Sequence, residues 1–132
     1  MISTRDQISY WKDTASHDWE TALSLFKSKR YDACLFFCHL AIEKILKGLV
    51  VEKTKESPPY THNLAHLAEI AGVSATEEQM KGLAEIATFN ISGRYDNIKR
   101  AFYKKCTKEY TEKNLKKAQQ LYLWLKKQFP KK

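Results

Sequence analysis

The chain is 132 residues long and 43% hydrophobic, enough for one domain around a single core. Four glycines and three prolines leave few turns, so the elements should be long. A formal net charge of +8 would attract phosphate, but a solvated face on the Lys-rich C-terminus explains much of it equally well. Cys34, Cys38 and Cys106 are odd in number and form no Cys-x-x-Cys pair, and two of them lie in an apolar stretch. Reduced core thiols are therefore expected in place of disulfides. The opening MISTRDQISYW is amphipathic and does not read as a secretory leader, so a cytoplasmic location is expected.

In chain order, Ile8, Trp11, Ala15, Trp19, Ala22 and Phe26 recur every three or four residues. That spacing predicts a first helix from about Ser3 or Thr4 to Lys29, with Asp6, Lys12, Asp13, Asp18, Glu20 and Lys27 mainly off its apolar stripe. The polar connection 28–32 is short enough to force an antiparallel return. Residues 31–51 are the longest apolar stretch, and a central helix is predicted to run to about Lys53. At about 100° per residue, Asp32, His39, Glu43 and Lys47 share one narrow stripe of it. Glu43 and Lys47 stand i,i+4 with the acid first, the favourable order for a helical ion pair. The rest of its circumference is apolar and must be covered by other helices or by a second subunit. With Trp11 and Trp19 on the first helix, this gives the expectation of a homodimer. The stretch is too short and too charged for a membrane span, which takes about 20 apolar residues.

Residues 54–63 are a loop, because Pro58-Pro59 cannot continue a helix. His62 to Ala71 reads as a short helix with Leu64, Leu67, Ala68 and Ala71 inward, closed by Gly72. Ser74-Ala75-Thr76-Glu77 has the spacing of a capping box. The helix after it should bury Met80, Leu83, Ala84, Ala87 and Ile91 and end at Gly93. Residues 94–107 have no dominant period, with room for a helical turn near the last element. The last helix, from about Lys108 to Phe129, should bury Tyr110, Ala118, Leu121, Tyr122, Leu125 and Phe129. Its outer face carries Lys113, Lys116, Lys117, Lys126 and Lys127. No strand alternation survives over four residues. The prediction is an all-α, up-and-down helical bundle of four long helices plus one short helix, a single domain over 1–132.

Lys44, Lys47, His62 and Arg94 are the candidate ligand residues, since cations from three segments can converge on phosphate. The competing reading is structural: Glu43 pairs with Lys47, His62 caps the short helix, and Arg94 satisfies helix-end carbonyls. His62 and His66 stand i,i+4, as do Cys34 and Cys38, but the remaining ligands of a metal site cannot be named for either pair. No cofactor is expected. Residues 99–105, KRAFYKK, interleave cations with aromatics as phosphate-tracking segments do, but with no recognised nucleic-acid motif beside them the preferred reading is a turn whose Phe102 and Tyr103 plug the bundle end while the cations stay solvated.

Three segments, in order, carry a family resemblance. His39-Leu40-Ala41-Ile42-Glu43-Lys44-Ile45-Leu46-Lys47 has an alanine, then Glu-Lys, then a second lysine. Pro58-Pro59-Tyr60-Thr61-His62-Asn63-Leu64 joins a proline turn to Thr-His-Asn-Leu. Arg94-Tyr95-Asp96 follows. Together they resemble the HEPN domain family over about Trp11 to Leu125. The resemblance implies an all-α bundle, usually dimeric, often encoded beside a small nucleotidyltransferase, and in one branch a ribonuclease toxin whose antitoxin is that nucleotidyltransferase. Ribonuclease members carry an Arg, four to six residues, then a His. Here Arg94 is followed at those positions by Lys99, Arg100 and Ala101, Arg100 by Lys105, Cys106 and Thr107, and no histidine follows His66. The expectation is therefore a binding module without catalytic residues, taking a nucleotide or RNA phosphate, as a dimeric partner of a small nucleotidyltransferase in a toxin–antitoxin pair. A metal-independent ribonuclease using other residues and a purely structural subunit are the alternatives.

Overall fold

A computed structural model describes residues 3–130. It holds six helices: α1 (Thr4–Lys27), α2 (Tyr31–Thr54), α3 (Leu64–Ile70), α4 (Glu77–Ala87), α5 (Asp96–Lys105) and α6 (Lys108–Lys126), with no strand among the described residues. Each boundary has a local cause. The Ser3 hydroxyl accepts from the Asp6 N–H at 3.0 Å and starts α1, and Asn63 does the same for α3 through the His66 N–H. Lys55 takes left-handed backbone (φ 62°) and ends α2 while its N–H donates to the Val51 carbonyl. A capping box does open α4, but two residues later than expected: Thr76 and Gln79 exchange side-chain and backbone bonds at 3.0 and 2.9 Å.

Partner positions fix the topology. Asp18 meets Lys44 and the Trp11 Cβ lies over Gly48, so α1 and α2 run antiparallel. Trp19 stacks on Tyr122 at 4.9 Å, and the Lys12 ammonium sits over the Phe129 ring, so α6 is antiparallel to α1. Leu121 reaches Gly82 and Lys117 reaches Glu85, so α4 is antiparallel to α6. The result is the expected up-and-down bundle of α1, α2, α4 and α6, with α3 as the short helix.

Residues 94–107 are the main departure. They form a ten-residue helix, α5, none of whose residues is buried. A helix whose only inward ring is Phe102, 5.8 Å from Phe89, leaves little periodicity to read. The fourth helix also ends early: α4 stops at Ala87, and Gly93 sits beyond it in a loop at φ 76°. Ala84, expected inward, is exposed, while Asp18, expected outward, is buried.

The core centres on α2, where Cys34, Leu35, Cys38, Ala41, Ile42, Ile45, Leu46, Leu49, Val50 and Val51 are all buried. A single chain therefore covers most of the apolar circumference that suggested a second subunit. Ala33, Phe36 and Leu40 remain half-exposed along one edge of the helix. No helix among the described residues is long and apolar enough to cross a membrane.

Candidate functional site

His39, Glu43 and Lys47 of the polar stripe of α2 are buried, and their centre is Glu43, 4% exposed. A buried carboxylate must be paired to stay charged. Here Lys47 Nζ donates to Glu43 Oε2 at 3.0 Å, one helical turn away. Oε1 of the same carboxylate lies 2.8 Å from His62 Nδ1, which the loop after α2 brings back across the helix. His39 Nε2 comes within 3.2 Å of Oε1 without hydrogen-bond alignment, and its Nδ1 has no partner in an almost fully buried ring. Burial pushes the Glu43 carboxyl up, but His39, His62 and Lys47 together overcome this and hold it down at about 2 from an ordinary 4.5. The Lys47 ammonium also lies 5.5 Å from the centre of the Trp11 ring, so α1 closes the cluster from the other side.

The other candidate residues divide. Lys44 Nζ pairs with Asp18 Oδ2 at 2.6 Å, bracing α2 against α1. Arg94 is exposed on the loop before α5; its N–H donates to the Ile91 carbonyl in a turn, and among the described residues its guanidinium has no carboxylate partner. No contact among the described residues joins Arg94 to Glu43, Lys44, Lys47 or His62. Thus Glu43 draws Lys47 and His62 together, and Lys44 turns aside to Asp18. The Glu43–Lys47 pair of the structural reading is present. The cap on α3, however, is Asn63, since His62 is committed to Glu43.

His66 is exposed in the first turn of α3, apart from the His62–Glu43 contact, and among the described residues no three His, Cys, Asp or Glu side chains are arranged to hold a metal ion. The three thiols are free and buried. The Cys34 thiol is lowered by its contact with Cys38, whose own thiol is pushed up, and burial together with Asp32 and Cys34 pushes Cys106 up to about 12. In 99–105, Lys99, Arg100, Lys104 and Lys105 are exposed with Tyr103, while Phe102 turns toward Phe89.

Three members of this arrangement did not stand out as site residues in the sequence: Glu43 as a hub, His39 and Tyr60. The i,i+4 run His39, Glu43, Lys47 was the available signal. Tyr60 is 96% exposed, and its ring lies 6.0 Å from that of His62. A large exposed ring beside a carboxylate-held imidazole gives no sequence period.

Comparison with known proteins agrees with the fold. The solved structure of TT1696 from Thermus thermophilus is similar with a TM-score of 0.78 at 19% identity, covering 93% of this chain and 98% of that one. ST0689, described as an archaeal HEPN homologue, is similar with a TM-score of 0.72 at 19% identity, covering 92% of this chain and 96% of that one. At such identities the likeness shows the fold. No curated protein matches. The model of the HEPN domain matches residues 8–128, nearly the whole bundle. The segments converging on Glu43 lie within that match, and the chain belongs to the HEPN domain family.

Proposed function

We propose that this HEPN-domain protein is a binding module for the phosphate of a nucleotide or RNA, acting as the dimeric partner of a small nucleotidyltransferase in a toxin–antitoxin pair. The observation that carries the phosphate part is the exposed, unneutralised charge of Arg94 and of α5. Among the described residues, Arg94, Lys99, Arg100, Lys104 and Lys105 make no ion pair, although Asp96 lies in the same segment. Cations left without acidic partners on one short segment suit a polyanion. Lys44 and Lys47 add charge from α2 but already hold Asp18 and Glu43, so Arg94 is the leading contact of the four candidates. His62 borders Lys47 through their shared carboxylate. A homodimer would cover Ala33, Phe36 and Leu40, the half-exposed edge of α2.

The test is a titration of adenosine triphosphate or short RNA at two salt concentrations. Affinity should fall steeply with salt as counterions are released. Arg94→Ala should cost more than Lys126→Ala, because a guanidinium makes paired hydrogen bonds that a solvated lysine does not. Equal losses leave net charge alone and remove the site. Sedimentation at micromolar concentration tests the dimer, and a monomer throughout refutes it. A nucleotidyltransferase reading frame beside this one, with co-purification of its product, is the test of the partner.

A second reading is a purely structural subunit. It is favoured by the ion pairs of Lys44 and Lys47 and the hydrogen bond of His62 to Glu43, which brace α1, α2 and the loop whatever the surface binds.

A further inference from the structure

The hydrogen bond between Glu43 and His62 has a chemical direction. Glu43, held near 2, is ionised at neutral pH and can only accept. The proton on that bond therefore belongs to His62 Nδ1. In the neutral ring the other nitrogen, Nε2, then carries a lone pair on the side away from Glu43, and the side chain is 53% exposed. Lys47 already compensates the Glu43 charge through the second carboxylate oxygen. In its neutral form this imidazole presents an acceptor at Nε2, whereas a phosphate oxygen asks for a donor.

The surroundings add a second feature. The Tyr60 ring stands beside that of His62 at 6.0 Å and 63°. The loop carrying both is tied at each end. The Ser57 hydroxyl bonds to Gln7 of α1 at 3.1 Å, and Asn63 caps α3 with its side chain on the His66 N–H. Pro58 and Pro59 stiffen the span between these ties. An exposed flat ring beside a lone pair, on a loop tied at both ends, suits a ligand that combines an aromatic face with N–H or O–H donors.

We propose that Tyr60 and His62 form a subsite for an uncharged nucleoside moiety, with the Tyr60 ring as its stacking surface and His62 Nε2 as its hydrogen-bond acceptor. The subsite rests on the nucleotide reading above and divides the labour within it: cations take the phosphate, and the Glu43-held imidazole takes the donors of base or ribose. Base–aromatic stacking tolerates any base, so the subsite selects for a nucleoside before it selects among nucleosides.

The test uses the whole chain and its own histidines as references. Diethyl pyrocarbonate acylates neutral imidazole, and peptide mapping reports each site separately. At about pH 8, above the ordinary imidazole range, millimolar adenosine should slow acylation of His62 about threefold, an occupancy that stacking of modest strength supplies. His17 and His66, both exposed and away from Glu43, should be unaffected. Tyr60→Ala, a change at a surface ring, should abolish the protection. Inorganic phosphate protecting His62 where adenosine does not would make the imidazole a phosphate ligand and overturn the proposal. Acylation of His62 unchanged by adenosine would overturn it as well. Protection that survives alongside equal losses in the Arg94 and Lys126 titrations would keep the subsite and remove the phosphate site.

Discussion

Replacing Glu43 with Gln keeps the size of the side chain and removes its charge. The structure then leaves the Lys47 ammonium, 8% exposed, without its anion, and deprives both imidazoles of theirs. Displacement of the carboxyl from 4.5 to about 2 corresponds to about 3 kcal/mol of stability at neutral pH. Breaking one side of a buried pair gives a similar figure, about 3–5 kcal/mol. Because the folded value is depressed, the contribution is fully present above 4.5 and is lost as pH falls toward 2. Urea melts of wild type and Glu43→Gln, taken from neutral pH downward, should differ by about 3 kcal/mol at pH 7. That difference should close as the wild-type carboxylate protonates below about pH 4.5. Other carboxylates titrate in both proteins and cancel in the comparison. Parallel pH profiles, or a loss under about 1 kcal/mol at pH 7, would refute the view of Glu43 as a buried charged hub.

Other outcomes follow from the same packing. Leu46 is fully buried, so Leu46→Ala should cost about 2–5 kcal/mol in denaturant melts, and a surface-like loss under about 1 kcal/mol would contradict its place in the core. Cys34, Cys38 and Cys106 should react slowly with a bulky disulfide reagent in the native state and at once in denaturant, because access limits them all; one fast native thiol would contradict their burial. Purified protein incubated with single-stranded and transfer RNA should leave both intact, given the missing Arg-to-His spacing. Cleavage that co-purifies with the protein and disappears in Arg94→Ala would establish a ribonuclease using other residues.

Four helices of the bundle were legible because their apolar residues recur at helical spacing and their ends carry recognisable caps or breakers. The Glu43–Lys47 pair was legible for the same reason, being one turn apart. His62 reaches Glu43 from nineteen residues away around a proline turn, and such a return is set by tertiary packing. Asp18 looked like a solvent residue because charge is usually exposed; Lys44 from the neighbouring helix neutralises it in place. The capping box was displaced by two residues because Ser74-Ala75-Thr76-Glu77 and Thr76-Glu77-Glu78-Gln79 both fit the spacing, and only packing selects between them. Helix α5 was hidden because it contributes no buried residue from which a period could be read.

The exposure of α5 has a thermodynamic side. Opening α5 uncovers no buried residue of its own and gives up chiefly the Phe102 contact with Phe89, so a single ring contact holds it to the core. Ten residues alone make a marginal helix in water. The segment 96–105 should therefore open below the global transition while α1, α2, α4 and α6 stay closed. Its four cations repel one another in the helix, and any polyanion laid along them removes that repulsion. The order of this basic segment is accordingly set as much by the ions around it as by the core beneath it.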